Sequence, residues 1–461
     1  MTAWHDLTAL EQGVAVRHGD VTAVELVEHY LGRADEVGAF VTRTPELALE
    51  RAAALPREGS SPLHGVPTAI KDLNPTAGVR TTFGSAAYAD YVPDFSDHVT
   101  LAIEAAGMVS LGKTNTPEFG SPCYTEPDVA PPAVTPWDRT RTAGGSSGGA
   151  GAAVAAGLVP VAQGSDGGGS IRIPASCCGL VGIKPSRGRI SGGPTYGDPV
   201  GLATAGTLAR TVTDAAALFD VLAGHRVGDP TWAPDPDDTF LEASRRRPGR
   251  LRIARFIEPV LVDVEVDGEC VTAWEDASAM LTSLGHEVVD VPVPLPREAV
   301  AVFETCWAVL TALSAAPEGR EHQLRPLTRW LSERGRAVSG PEFGLAIGEM
   351  RRFAAQALEA LAPYDAVLTP TLASPPVQVG ALRNDADPAE DFAAQTRFTP
   401  WTSAWNVTGM PAVSLPTHWT SEGLPVGIML AARPAEDGLL LSLAGQLEDL
   451  CDWRSRTPPG W

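Results

Sequence analysis

Two glycine- and serine-rich clusters hold the side chains best suited to covalent chemistry. They are Gly144-Gly145-Ser146-Ser147-Gly148-Gly149 and Gly164-Ser165-Asp166-Gly167-Gly168-Gly169-Ser170. A serine hydroxyl attacks a carbonyl carbon once a base takes its proton. The three glycines before Ser170 let successive backbone N–H groups converge on one point, which suits them to the oxyanion of a tetrahedral intermediate. The base must come from elsewhere. The chain has three lysines, Lys71, Lys113 and Lys184, within a Lys+Arg total of 35. A buried lysine sheds its proton near neutral pH and an arginine does not. Base-composition bias accounts for most of the arginine excess, so this census narrows the candidates without choosing among them. Lys71 ends the apolar run Val66-Pro67-Thr68-Ala69-Ile70.

Other readings of the clusters compete. A nucleotide phosphate loop requires Gly-x-x-x-x-Gly-Lys-Ser/Thr, which is missing, and no strand leads into the first cluster. Gly144-Gly145-Ser146-Ser147-Gly148 matches Gly-x-Ser-x-Gly, the turn that carries an esterase nucleophile, here Ser146. That turn needs a buried strand before it, and the preceding Pro136-Trp137-Asp138-Arg139-Thr140-Arg141-Thr142 is polar. It also needs a histidine, and His225, His286, His322 and His418 sit in no marked motif. A flexible linker is the plainest reading, but both clusters flank well-patterned segments.

The elements around the clusters favour a joint site. A helix over Ser147–Gly157 rises about 1.5 Å per residue, and a strand over Leu158–Gln163 returns at about 3.3 Å per residue. Out and back are comparable, so Ser146 and Ser170 can lie side by side. Upstream, Thr22 and Glu25 form a capping box that predicts a helix from about Thr22 to Val37. Further helices are expected over Pro45–Leu55, His98–Ala106, Gly268–Leu284, Glu298–Ala315, Pro341–Leu361 and Glu436–Glu448. Apolar runs at Val66–Ile70, Val109–Leu111, Leu158–Ala162, Leu180–Ile183, Leu251–Phe256, His286–Val293, Ala366–Leu368, Ala412–Leu415 and Pro425–Leu430 read as strands. The alternation predicts a layered α/β architecture. The Pro/Asp-rich stretch Asp229–Asp238 reads as a loop and a plausible boundary.

Composition excludes several partners. The 461 residues carry 35 Lys+Arg against 56 Asp+Glu, a net charge of −21, which argues against nucleic acid and anionic membrane surfaces. Arg245-Arg246-Arg247 is the one basic run and reads as a solvated loop. Of Cys123, Cys177, Cys178, Cys270, Cys306 and Cys451, none forms a Cys-x-x-Cys, and adjacent Cys177-Cys178 is poorly placed for a disulfide. Reduced thiols in the cytoplasm are expected, with Cys177 and Cys178 packed in the core. The first residues show no signal-peptide pattern, and Ala150–Ala162 is too short and too broken for a membrane span.

The chain resembles the amidase signature hydrolases over nearly its whole length. The motifs run in order: His64-Gly65-Val66-Pro67 with Lys71-Asp72, then Leu111-Gly112-Lys113-Thr114-Asn115, then both clusters. They continue through Ile171–Ala175, Cys178-Gly179 and Gly182-Ile183-Lys184-Pro185, and return as Asn406-Val407-Thr408-Gly409-Met410-Pro411-Ala412 and Gly423–Gly427. The resemblance implies one α/β unit over 1–461, a large mixed β-sheet core sandwiched between layers of α-helices. Its core would span about 20–240 and 400–452, with a variable helical region on the substrate side at about 290–395. It implies a triad of Ser170 as nucleophile, Ser146 on a cis peptide as proton relay, and Lys71 as base. It also implies an oxyanion hole from the N–H groups of Gly167, Gly168, Gly169 and Ser170, and no metal or organic cofactor.

Asp166 and Arg172 are expected to orient backbone and serines, Ser147 to cap the following helix, and Lys113 and Lys184 to be structural. Phe119, Tyr124, Cys306, Trp307 and Trp401 are the expected pocket residues, with Trp330 and Trp405 in the same region. The resemblance further implies small-molecule amide, ester or carbamate substrates, water as co-substrate, and a monomer or homodimer. One family branch is the tRNA-dependent amidotransferase subunit. That branch usually carries Ser-x-Asp-x-x-Gly-Pro after the Lys184 motif, where this chain has Gly201-Leu-Ala-Thr-Ala-Gly206-Thr207-Leu208-Ala209-Arg210. Thr125-Glu126-Pro127, Arg187–Ser191 and Gly224-His225-Arg226 are instead similar to stand-alone bacterial amidases.

Overall fold

The computed structural model describes residues 3–314 and 316–461. Eleven strands occur among them: β1 Phe40–Arg43, β2 Pro67–Lys71, β3 Val109–Thr114, β4 Val161–Asp166, β5 Val181–Lys184, β6 Thr204–Ala209, β7 Arg252–Arg255, β8 Glu287–Asp290, β9 Ala366–Pro370, β10 Ala412–Trp419 and β11 Pro425–Ala432. Eight form one mixed sheet in the order β4-β6-β5-β10-β11-β9-β7-β8. Pairing is antiparallel from β4 to β9 and parallel from β9 through β7 to β8. β7 and β8, which follow the Asp229–Asp238 loop, therefore extend the sheet begun before it.

Alternation along the strands covers both faces of this sheet. On β11, Val426, Ile428, Leu430 and Ala432 face a core shared with helices Val212–Leu222, Gly268–Ser283 and Asp437–Leu450. Met429 and Ala431 face the opposite core with Phe353, Ala357 and Leu361 of helix Gly340–Leu361. Helices Gly148–Ala155 and Arg172–Cys178 cover that second side near β4 and β5, and every residue of both is buried. This is the layered α/β fold expected from the sequence. The six cysteines are free, and Cys177 and Cys178 lie in the core as expected.

The remaining strands make a separate three-stranded sheet, β1-β3-β2. Side-chain hydrogen bonds join it to the large sheet. Thr68 Oγ1 donates to the Val161 carbonyl at 3.0 Å, and the Lys71 N–H donates to Gln163 Oε1 at 2.9 Å.

Several boundaries differ from the sequence reading. The helix after Thr22 spans Ala23–Leu31 rather than reaching Val37. It stops at Gly32, beyond which the Asp35 carboxylate collects the N–H groups of Val37, Ala39 and Phe40 in a turn. The strand expected at Leu158–Ala162 lies at Val161–Asp166, because pairing with β6 runs on past the apolar residues to Asp166↔Thr204. The helix expected to end at Ala315 spans Glu298–Leu313, and Ala315 lies outside the described residues. Helices Ala9–His18, Pro326–Ala337 and Pro388–Phe398, and strands β1 and β6, have no counterpart in the sequence reading.

Candidate active site

Lys71 is the last residue of β2 and is fully buried. Its Nζ donates to Ser146 Oγ at 2.8 Å, to Ser165 Oγ at 3.0 Å and to the Ser165 carbonyl at 3.3 Å. Burial lowers the amine to about 7, against a smaller upward pull from Asp166. At neutral pH a large share of Lys71 is therefore uncharged, with a lone pair able to take a proton.

Ser146 follows a cis Gly145–Ser146 peptide. A Cβ on Gly145 would stand 2.7 Å from the Tyr124 backbone nitrogen, so only glycine allows this approach. The two clusters meet as the helix-and-return geometry predicts. The Ser147 N–H donates to the Ser170 carbonyl at 3.0 Å. Ser146, Ser165, Gly167 and Ser170 line one cavity of about 170 Å³. A larger cavity of about 250 Å³, lined by Arg33, Arg139 and Trp461 among others, holds neither candidate serine.

Ser147 does not cap the helix it precedes. Its Oγ donates to the Ser165 carbonyl and accepts the Ser165 N–H, at 3.1 and 3.2 Å. Ser147 thus pins β4 beside the first cluster, because the approach of the two segments brings a strand's free backbone groups within reach.

The glycine nest hangs from a buried ion pair. Asp166 Oδ1 accepts from the Gly169 N–H at 2.8 Å, Arg172 Nη2 at 2.8 Å and Asn406 Nδ2 at 2.9 Å. Oδ2 accepts from the Ile171 N–H at 3.2 Å and Arg172 Nε at 2.9 Å. Burial would raise this carboxyl, but the Arg172 charge and the hydrogen bonds hold it well below the usual carboxylate range. Breaking such a buried pair costs about 3–5 kcal/mol, because the surviving charge is left without a partner. The bond to Asp166 occupies the Gly169 N–H. The expected oxyanion donors are thereby reduced to Gly167, Gly168 and Ser170.

The Thr402 hydroxyl donates to the Gly168 carbonyl at 2.6 Å, and the Thr402 carbonyl in turn accepts from Arg172 Nη1 at 2.8 Å. Gly169, at φ +131°, packs so closely that a Cβ would stand 2.5 Å from Thr402 Oγ1.

The expected pocket residues divide. Phe119 and Trp307 line the cavity. Trp401 is fully buried among Phe256, Met429 and Trp405, with Nε1 donating to the Glu258 carbonyl. Tyr124 is buried and its hydroxyl donates to Asp391 Oδ2 at 2.7 Å. Cys306 is packed with Val200, Leu202 and Met350. Each is drawn into a core or a buried polar contact instead of the cavity wall, as is Trp405, while the half-buried Trp330 packs on Phe392 away from that wall. Lys113 and Lys184 are structural: Lys113 contacts the Thr81 hydroxyl and Asp72, and Lys184 donates to the Pro185 carbonyl.

Thr402 escaped the sequence reading, and Gln163, Ser165 and Asn406 carried no assigned role in it. A signal existed for two of them. Along a strand, side chains two apart share a face, so Gln163 and Ser165 both address Lys71 once β4 is read through to Asp166.

The family model described as Amidase matches residues 25–441. The chain belongs to the amidase signature family. It is accordingly a hydrolase of amide bonds. It is 36% identical to the 6-aminohexanoate-cyclic-dimer hydrolase of Paenarthrobacter ureafaciens, over 99% of this chain and 96% of that protein. A solved structure of 6-aminohexanoate cyclic dimer hydrolase superposes with a TM-score of 0.92 at 34% identity, covering 99% of both chains. A bacterial aryl acylamidase of the family superposes with a TM-score of 0.87 at 26% identity, over 98% of this chain and 99% of that one. Among the described residues, no helix is long and apolar enough to cross a membrane, and no group of three or more His, Cys, Asp or Glu could hold a metal ion.

Proposed function

We propose that this amidase cleaves the C–N bond of small carboxylic amides through an acyl-enzyme on Ser170, with Ser146 as relay and Lys71 as base. Ser170 Oγ attacks the carbonyl carbon, and its proton passes through the Ser146 hydroxyl to Lys71 Nζ. The N–H groups of Gly167, Gly168 and Ser170 hold the oxyanion, each worth roughly 3–4 kcal/mol in comparable sites. Collapse breaks the C–N bond, and the departing amine takes the proton back from Lys71 through Ser146. Water then adds to the acyl ester by the same route and releases the carboxylic acid. The observation that carries this reading is a fully buried Lys71 amine, lowered to about 7, at 2.8 Å from Ser146 Oγ beside the cavity that Ser170 lines.

Nothing in the nest is particular to a nitrogen leaving group, so aryl esters and carbamates are proposed as further substrates. The six free cysteines support a cytoplasmic setting, and a monomer or homodimer is the proposed assembly. The esterase reading, with Ser146 as nucleophile and a histidine base, has less support: among the described residues no histidine lines the cavity, and Ser146 contacts a lysine.

The test is hydrolysis of a nitroanilide or nitrophenyl ester by purified protein and by Ser170→Ala. Loss of at least about a thousandfold in kcat is expected for removal of the nucleophile, and equal rates would refute the assignment. Turnover of glutamine alone, with none of the anilide, would point to an amidotransferase subunit.

A further inference from the structure

The wall of the cavity bears on what the amide carries. Trp307, on the helix Glu298–Leu313, stacks against Phe303 at 5.4 Å between ring centroids and 24° between planes. The benzo ring of its indole stands over the nest. A Cβ built on Gly167 would lie 3.7 Å from Trp307 Cζ3, and one built on Gly168 would lie 3.6 Å from Cη2. Under the serine mechanism above, on which this inference rests, those two peptides hold the oxyanion. The group attached to the reacting carbonyl must then pass against the indole.

A second ring comes from the turn Glu118–Gly120. Phe119 sits at φ +52°, a sparsely populated region for a residue with a side chain. Its N–H donates to the Phe83 carbonyl at 2.8 Å, and Phe83 is itself at φ +53°. Two aromatic residues in left-handed conformation, bonded to each other, persist only where their surroundings over-determine them. Here an aromatic cluster does so: Phe83 packs on Tyr88 and Tyr91, and Tyr88 meets Phe119 edge-on at 6.1 Å. The outcome is a Phe119 ring presented to the cavity.

The remaining wall mixes the apolar Leu73, Leu202 and Leu310 with the uncharged hydroxyl residues Ser121, Thr311 and Ser314. Asp198 is the one carboxylate among its described residues. Both its oxygens are occupied, accepting the N–H groups of Val200 and Gly201 at 2.9 Å and of Leu202 and Ala203 at 2.7 Å. Those four hydrogen bonds tie both oxygens to its own loop. At about 170 Å³, the cavity is small beside the 300–1,000 Å³ of pockets that enclose drug-sized ligands. A single ring and an amide suit it.

We propose that Trp307 and Phe119 are specificity-determining residues that select uncharged amides bearing a flat aromatic group, as in anilides or aromatic carboxamides. Aromatic rings gain from stacked or edge-to-face contact in a way that an aliphatic chain of similar area does not. Among the described wall residues there is no cation for a substrate carboxylate, and each Asp198 oxygen already accepts two N–H groups, which leaves neither open to a substrate ammonium.

The experiment compares kcat/KM for a neutral anilide, an aliphatic amide of equal size, and the anilide carrying a ring carboxylate or ammonium. The neutral anilide is expected to lead. Trp307→Leu should lower the anilide-to-aliphatic ratio by about tenfold, the scale of a lost aromatic contact, and Trp307→Phe should largely keep it. A ratio unmoved by Trp307→Leu, or a wild-type preference for aliphatic or charged amides, overturns the inference.

Calorimetric binding to the Ser170→Ala protein separates pocket from mechanism. Tighter binding of the anilide than of the aliphatic amide supports the inference, and equal or absent binding overturns it. Full residual turnover by Ser170→Ala refutes the serine assignment instead and leaves the wild-type ratios to judge the pocket.

Discussion

In the proposed mechanism, Lys71 is where protonation state and rate meet. Burial holds its amine at about 7, so the base form dominates above that pH and is titrated away below it. With a neutral substrate, kcat/KM should fall about tenfold per pH unit below about 7 and level off above it. A flat profile from about pH 6 to about 10 would count against Lys71 as base. Lys184 is also lowered to about 7, by burial and then by the nearby Arg172 charge. Its Nζ is bound to the Pro185 carbonyl and it does not line the cavity, so the proposed mechanism assigns the kinetic midpoint to Lys71. Ser165 supplies the check. Its hydroxyl accepts from Lys71 Nζ at 3.0 Å, and a hydrogen bond to the charged form favours that form. Ser165→Ala should therefore move the midpoint to lower pH. A shift to higher pH would mean that Ser165 does not stabilise the ammonium.

At the scale of elements, the site is a meeting of two sheets and a late segment. Lys71 stands on the small sheet, Ser165 and Asp166 on the large one, and Thr402 and Asn406 come from the segment before β10. Thr402 touches the nest through its hydrogen bond to the Gly168 carbonyl and its packing on Gly169, which makes it a positioning residue. Thr402→Val keeps the shape and deletes the hydroxyl. A misplaced nest should cost on the order of tenfold to a hundredfold in kcat with KM nearly unchanged, and Thr402→Ser should restore it. A rise in KM at constant kcat, or no rescue by serine, would assign the loss to packing.

For the whole molecule, the loop Asp229–Asp238 is largely exposed and looks like a seam in the sequence. The sheet crosses it. β4, β5 and β6 come from before the loop and the other five strands of the large sheet from after it, joined where Ala412, Val413 and Ser414 pair with Lys184, Ile183 and Gly182. The Asp166–Asn406 and Arg172–Thr402 contacts also bridge the two halves. A single proteolytic cut in the loop should therefore yield fragments that co-elute on gel filtration and retain anilide hydrolysis. Fragments that separate without denaturant would show that each half carries its own closed core.

Residue type and spacing by themselves determined a good deal. The layered α/β class, most strand positions, the closeness of Ser146 and Ser170 and the candidacy of Lys71 were legible, because hydrophobic period, glycine runs and side-chain chemistry are local properties. Tertiary structure decided the rest. Whether Trp307 or Trp401 meets the cavity depends on which helix face packs on which sheet, and composition cannot express that. Ser147 became a clamp on β4 rather than a helix cap because a distant strand offered its backbone. The Gly169 N–H was taken by Asp166, and Thr402 was brought beside Gly168, by contacts spanning 3 and 234 positions of the chain. The longer of these pairings exists only once the sheet has closed, since each buried polar group takes the partner that folding puts within reach.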